Sequence, residues 1–396
     1  MTYRVVIYCP DRHIVYDGRT PRQKGVGGGI TARIRMAHAL QRRGHRVTLV
    51  VNCPRRETYE GVEYVPLDQA TSLVSDILIL TTSGDRLDLT PALALRREAA
   101  LKIVWVHGPA KPGGMDEIGW DSCYAVSNFI GGIAREQWGI PAVRIFVSYN
   151  AFDEALFAGA EAEGLKRDPY RLVYFSHPSK GLETAVAVFE RLRAQDRRFT
   201  LRVFGGEELW GGEGSVPDLP DGASYAGLVG QAEIVGELVQ AGISLQMQAR
   251  EEPFGLSVIE AMRAGCLVVA SPVGALPELI DDGRNGLLIT GDHTDPSVRD
   301  GATSRILELV EDPPAMEAIR AEAMASPWSS DRMADVWTGH WNWLLRTPTD
   351  RARNSTELCP RCSSHQLLLA DGGHCLSCSF YRALATHELS PTEARA

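Results

Sequence analysis

No apolar run in this 396-residue chain approaches the ~18–20 residues a membrane span needs, so the sequence offers no candidate spanning helix. The first residues also lack the basic start, apolar stretch and small-residue cleavage site of a secretion signal; Arg4-Val-Val-Ile-Tyr-Cys9 reads directly as a strand. These two absences make a cytoplasmic protein the expectation. Internal repeats and low-complexity tracts are missing as well, which excludes solenoid and fibrous classes. Cysteine is sparse outside one C-terminal stretch. Cys9, Cys53, Cys123 and Cys266 are scattered in strand-like or buried-looking segments, where a free cysteine packs as a small hydrophobe.

What is present is an ordinary globular mix, 44% hydrophobic and 23% charged, on a chain too long for one core. Two large domains and an appendage are expected. The formal charge of -9 is unevenly spread. Residues 1–150 carry 19 basic against 14 acidic residues, whereas residues 151–396 carry 22 against 36. The basic first half is open to two readings, a solvated arginine surface or a face for an anionic partner.

Strand-like and helix-like segments alternate almost throughout, the pattern of parallel α/β sheets. Strands are expected at Arg4–Cys9, Arg46–Val51, Asp76–Leu80, Lys102–Val106, Tyr124–Val126 and Arg144–Val147. Helices are expected at Ile30–Arg43, stopped by Gly44, and at Pro91–Ala99 and Asn128–Trp138. The pattern lapses around Phe152–Pro169 and then restarts with strands at Arg171–Phe175, Thr200–Phe204, Ile243–Gln246 and Leu267–Ala270. The expected fold is therefore α/β, with two Rossmann-like domains at 1–152 and 170–345 and a small cysteine-bearing module at 355–384. The last helix of the second domain is a candidate to pack back on the first.

The most informative stretch is Glu252-Pro-Phe-Gly-Leu-Ser-Val-Ile-Glu260-Ala-Met-Arg-Ala-Gly265. Gly255 opens a helix here, and the first N–H groups of such a helix form an anion site suited to a diphosphate. Two carboxylates beside it suit sugar or ribose hydroxyls better than phosphate; two surface glutamates flanking a helix start are the bland reading. The segment, with Val268-Val-Ala-Ser-Pro-Val-Gly-Ala-Leu-Pro-Glu-Leu-Ile280 and Gly283-Arg-Asn-Gly-Leu-Leu288, resembles the glutamate–seven–glutamate region of family 4 glycosyltransferases, which have the GT-B fold. The likeness runs, more weakly, from the first strand to about Leu345.

The resemblance implies roles at matching positions. Glu260 would hold the ribose of a nucleotide-sugar donor. Glu252 would contact the donor sugar near the reacting carbon. The N–H groups of Phe254, Gly255 and Leu256 would face the sugar or diphosphate, and Lys180 would neutralise the diphosphate. Gly28 and Gly29 would belong to a donor-facing glycine loop, and His107 would touch acceptor or sugar. Ser127 and Asn150 also match the family but receive no role. The family's arginine shortly before the lysine is missing from Tyr174-Phe-Ser-His-Pro-Ser-Lys180; Ser176, His177 or an arginine from elsewhere would have to replace it. The implied reaction is sugar transfer from a nucleotide sugar with retention. No catalytic divalent metal is expected, and no Asp-x-Asp pair is present to hold one.

Cys359-Pro-Arg-Cys362 and Cys375-Leu-Ser-Cys378 are separated by twelve residues and offer four thiolates for a structural Zn²⁺. Two disulfides are the rival, disfavoured in a cytoplasmic chain. The module resembles a zinc ribbon, with His365 and His374 as alternative ligands. GT-B enzymes place the acceptor largely in the first domain, here the basic one. Candidate acceptors are DNA bearing a hydroxymethylated base, a natural product or other small molecule, and a lipid headgroup. A non-catalytic, nucleic-acid-binding protein of the same fold is the alternative from a different class.

Overall fold

The structure, a computed structural model, describes residues 1–346 except 85, 211 and 215. The four C-terminal cysteines, His365, His374 and the whole of the 355–384 module therefore lie outside the described residues. The chain divides into two compact units. One comprises Met1–Gly18, Gly29–Ala151 and the chain from Pro327; the other comprises Arg19–Gly28 and Phe152–Ser326.

The first unit is built on β1 (Arg4–Tyr8), β2 (Arg46–Val51), β3 (Glu57–Tyr59), β4 (Val62–Pro66), β5 (Ile77–Thr82), β6 (Leu101–Val106), β7 (Ser122–Ala125) and β8 (Ile145–Val147). Their order in the sheet is β3-β4-β2-β1-β5-β6-β7-β8, and only β3 with β4 is antiparallel. Every residue of β5 is buried, as continuous apolar runs are when helices cover both sheet faces. Helix α1 (Thr20–Gln23), which falls in the second unit, and α2 (Gly28–Arg42) follow β1, α3 (Met115–Ile118) follows β6 and α4 (Asn128–Glu136) follows β7. The Ser127 hydroxyl caps α4 by accepting from Ile130 N at 3.1 Å, which gives that residue a structural task.

The second unit contains α5 (Glu154–Ala162), β9 (Asp168–Phe175), α6 (Leu182–Gln195), β10 (Thr200–Phe204), β11 (Ala223–Gly227), α7 (Gln231–Gln240), β12 (Ala241–Gln246), α8 (Leu256–Arg263), β13 (Leu267–Ala270), α9 (Leu276–Leu279), β14 (Leu287–Leu288), α10 (Pro296–Glu311) and α11 (Pro313–Met324). Its six strands are all parallel, in the order β11-β10-β9-β12-β13-β14. Leu172, Phe189, Leu201, Ile243 and Val269 join one buried cluster on this sheet.

The final helix, α12 (Ser330–Arg346), packs in the first unit rather than the second. Trp337 is fully buried, meets Trp105 edge-on at 4.9 Å and donates its indole N–H to the Ser148 hydroxyl. His340 stacks on Phe146 at 3.9 Å, and its Nδ1 lies 2.5 Å from the Tyr124 hydroxyl. Asp335 of the same helix accepts from Arg43 Nε, just past α2, at 2.7 Å.

Two local expectations give way. Pro91–Ala99 holds only a 3-10 turn, Thr90–Ala94, because the Arg97 guanidinium donates to the Ala92 and Leu95 carbonyls, and Ala92 O is an acceptor a continuing helix would use. The apparent break at 152–169 contains α5. Besides the local Asp153 cap, it is held by Arg263 of α8, which bonds Glu154 and, at 2.7 Å, Glu161; these contacts are tertiary and leave no periodic signature. Among the described residues no helix is long and apolar enough to cross a membrane.

Candidate functional site

In both sheets the first strand is flanked by strands whose connections run in opposite directions, and ligands of open α/β sheets bind at the carboxyl ends of strands at such a switch point. In the second unit the flanking strands are β10 and β12 about β9. The loop after β10 carries Trp210, the loop after β9 carries His177 and Lys180, and the loop after β12 carries Gln248, Arg250 and Glu252.

Lys180 ends a 3-10 turn, Pro178–Lys180, and is followed by Gly181 at φ +94°. A Cβ on Gly181 would stand 2.0 Å from the Met247 carbonyl oxygen, so only glycine lets the β9 loop approach the β12 loop this closely. That approach places Lys180 Nζ 2.7 Å from Glu252 Oε2. Both side chains are largely buried, and an ion pair so sheltered is screened little by salt. Gln248 Nε2 donates to the same carboxylate oxygen at 3.3 Å, while Gln248 Oε1 is buried and has no partner among the described residues.

Gly255 lies in the left-handed region, at φ 109°, and starts α8 with no side chain capping the helix. Phe254 is buried beneath that turn. Leu256 is the first residue of α8, and Glu260 lies buried in its middle. Gly28 belongs to the same unit, where a Cβ on it would stand 3.3 Å from Leu256 Cδ1. Lys180, Glu252, Phe254, Gly255, Leu256, Glu260 and Gly28 thus all fall in the second unit.

Gly29 and His107 fall in the first unit. A Cβ on Gly29 would stand 2.1 Å from the Ser83 hydroxyl oxygen, which explains glycine there without any ligand. His107 follows β6, half-buried, with Nε2 unpartnered among the described residues. Burial, reinforced by the Arg33 charge, pushes it down to about 3, so the imidazole is neutral at ordinary pH. At this sheet's own switch point, between β1 and β5, Asp11 accepts from the Thr82 hydroxyl and from Ser83 N at 2.9 Å. The fully buried Arg33 donates to the Tyr16 hydroxyl at 2.5 Å and the Ser83 hydroxyl at 2.8 Å. Nothing in the order of residues announces this polar cluster; an arginine at an apolar helix position, flanked by Ile30 and Ile34, is the only signal.

His177, which occupies the stretch where an arginine was sought, is committed elsewhere. Its Nε2 lies 2.9 Å from Glu207 Oε2, its Nδ1 accepts from Ser179 N at 3.2 Å, and its ring stacks on Trp210 at 3.5 Å. Burial lowers its pKa, with Glu207 opposing and Arg250 and Lys180 adding to the shift. The isolated cysteines Cys9, Cys53, Cys123 and Cys266 are buried and unbridged, and burial pushes the Cys123 thiol up to about 12, the mark of an inert packing residue.

Residues 170–312 match the family described as Glycosyl transferases group 1. That stretch runs from β9 into the helices beyond β14 and contains Lys180, Glu252 and Glu260. Among curated proteins, the chain is 39% identical over 117 residues to a D-inositol 3-phosphate glycosyltransferase of Streptomyces avermitilis, a match covering 28% of this chain and 24% of that protein. It is 27% identical over 305 residues to a glycogen synthase of Pseudomonas syringae, covering 73% of this chain and 58% of that enzyme. The chain thus spans about a quarter of the first relative's length and less than two thirds of the second's. Among solved structures, a glycosyltransferase involved in avilamycin A biosynthesis superposes with a TM-score of 0.62 at 19% identity, covering 87% of this chain and 99% of that one. HepE of Anabaena in complex with UDP-glucose gives 0.57 at 18% identity, covering 85% and 99%. The fold is accordingly the GT-B-like α/β fold of glycosyltransferases, with two sheets of mainly parallel strands.

Proposed function

We propose that the protein is a retaining glycosyltransferase that moves a sugar from a nucleotide-sugar donor to an acceptor hydroxyl, and that its second unit holds the donor. The observation that carries this reading is the convergence of Lys180, Glu252 and the uncapped start of α8 on the switch point of the second sheet, inside the stretch that matches the glycosyl transferase family. The UDP-glucose bound by HepE of Anabaena is consistent with a donor of that class.

In this reading the leaving diphosphate meets the N–H groups of Phe254, Gly255 and Leu256 and the Lys180 ammonium, which offset the charge as it develops. Glu252 takes sugar hydroxyls, and the unpartnered Gln248 Oε1 beside it offers a further acceptor for one of them. Glu260 holds the ribose. His107, neutral, contacts acceptor or sugar. The acceptor oxygen gives its proton to the departing phosphate, so no separate general base is required and no divalent metal enters the step.

For the acceptor, the N-terminal arginines are informative. Arg4, Arg12, Arg42, Arg43, Arg55 and Arg56 each face a carboxylate, and Arg33 and Arg35 are buried. These six arginines are therefore already engaged by carboxylates, two of them by Asp331 and Asp335 of α12. This favours a natural-product, small-molecule or lipid hydroxyl over DNA with a hydroxymethylated base, which would need unpaired cations along its phosphates.

The test is nucleotide release from UDP-, GDP-, ADP- and TDP-sugars, with and without hydroxymethylated DNA and candidate small-molecule or lipid acceptors. Wild-type chain is expected to release nucleotide from one donor. Glu252→Ala is expected to abolish release while leaving the circular dichroism unchanged; unaltered turnover in that variant would remove Glu252 from the mechanism. A chain that binds a donor but never turns it over, with any acceptor, would point to the non-catalytic reading.

A further inference from the structure

The donor site holds a charge imbalance that the Lys180–Glu252 pair leaves unsolved. Lys180 lies 2.7 Å from the Glu252 carboxylate, so much of its charge is already answered before any phosphate arrives. His177 is neutral by burial and is bonded to Glu207 and Ser179, so it supplies no second cation. Ser176 carries no charge at all. A nucleoside diphosphate brings several negative charges, and a site with one neutralised lysine would hold it poorly.

One cation at this mouth is not spent. Arg250 leaves the loop after β12, two residues before Glu252, and is exposed. Among the described residues no carboxylate pairs with it; its contact is with the indole of Trp210, over which its guanidinium carbon lies 4.5 Å from the ring centroid. The same indole has Lys180 Nζ 5.9 Å from its centroid and His177 stacked against it at 3.5 Å and 14°. Glu207 in turn holds the imidazole at 2.9 Å. Glu207, His177, Trp210 and Arg250 therefore form a stack built from the loops after β10, β9 and β12, three adjacent strands, and its outermost member is an unpaired guanidinium beside the lysine.

We propose that Arg250 is the second diphosphate-binding cation of this site, brought from the β12 loop in place of an arginine ahead of Lys180, and that Trp210 is the platform that positions it. This rests on the nucleotide-sugar reading above. The guanidinium suits the task because its fork of N–H donors matches two phosphate oxygens at once, and the aromatic face lowers the freedom lost on binding. Trp210 acts through Arg250 and is a positioning residue.

The experiment measures, by calorimetry on the full chain, binding of UDP, GDP, ADP and TDP and of the corresponding nucleosides. For the diphosphate that wild type prefers, Arg250→Ala is expected to weaken binding by about ten-fold or more, the loss of one charged hydrogen-bonded contact. Binding of the nucleoside and the melting temperature are expected to stay as in wild type. Arg250→Lys is expected to recover part of the affinity, and Trp210→Ala to lose part of it, again for the diphosphate and not the nucleoside. If wild type binds a diphosphate and Arg250→Ala binds it equally well, the assignment of Arg250 is wrong and the donor reading stands. If wild type binds none of the four diphosphates, the donor reading itself fails and takes this one with it.

Discussion

At the scale of single residues, the site depends on a glycine more than on any charged group. Gly181 is the point where the β9 loop touches the β12 loop, and it holds both a positive φ of 94° and a contact that no side chain could share. Gly181→Ala is expected to cost about 1–3 kcal/mol from backbone strain alone, and more once the Met247 carbonyl must retreat. Urea unfolding would show the lowered midpoint. Nucleoside diphosphate binding by the same variant should fall as well, because moving the Met247 loop moves Glu252 away from Lys180; a variant as stable and as tightly binding as wild type would contradict this. Lys180, the residue before Gly181, stood out in the sequence through the family resemblance. Why the glycine is needed did not, since its neighbour Met247 is far away along the chain.

At the scale of elements, local patterning located most strands but not the partners that decide ambiguous segments. β12 and β13 are short apolar runs and were readable as such. α5 was not, because its Ala- and Gly-rich stretch is held by Arg263 of α8 and by the buried Phe157 rather than by a strong pattern of its own. The small edge strand β3 and the half-exposed β11 were missed for a related reason, being defined by pairing rather than by hydrophobicity. α12 is the converse case, the last helix, which the sequence offered as a candidate to pack back on the first domain and which falls in the first unit. Its Trp337 is fully buried against Trp105 and Tyr124. Trp337→Ala is expected to destabilise the first unit by about 3–5 kcal/mol, the usual cost of truncating a buried aromatic. Equilibrium unfolding followed by near-ultraviolet circular dichroism measures this. A loss below 1 kcal/mol would mean that α12 contributes little to that core.

At the scale of the whole molecule, chemistry is distributed by unit. Lys180, Arg250, Glu252 and Glu260 all belong to the second unit, whereas His107 and the Asp11–Arg33 cluster belong to the first. The cysteine pairs Cys359–Cys362 and Cys375–Cys378 are far in sequence from the proposed donor residues, and a zinc held by all four thiolates would have no open position for catalysis. Purified chain is expected to carry about one zinc, lost together in Cys359→Ser and Cys375→Ser variants. Since none of the donor residues is a zinc ligand, nucleoside diphosphate affinity should survive that loss. Metal analysis beside calorimetry checks both statements, and a zinc-free native chain of normal stability would overturn the first.

The sequence by itself determined that the chain is α/β and pointed to Glu252, Glu260 and Lys180 as the residues to examine. Such information is local: strand and helix periods, a glycine opening a helix, a motif whose members lie within a dozen residues. Only the tertiary structure decided that Lys180 is already paired with Glu252, that His177 is neutral and committed to Glu207, and that Arg250 stands unpaired over Trp210. Each of those depends on loops from adjacent parallel strands, and parallel strands that neighbour one another in space are separated in sequence by a whole crossover. Charge balance at the site is therefore set between residues that no pattern along the chain brings together.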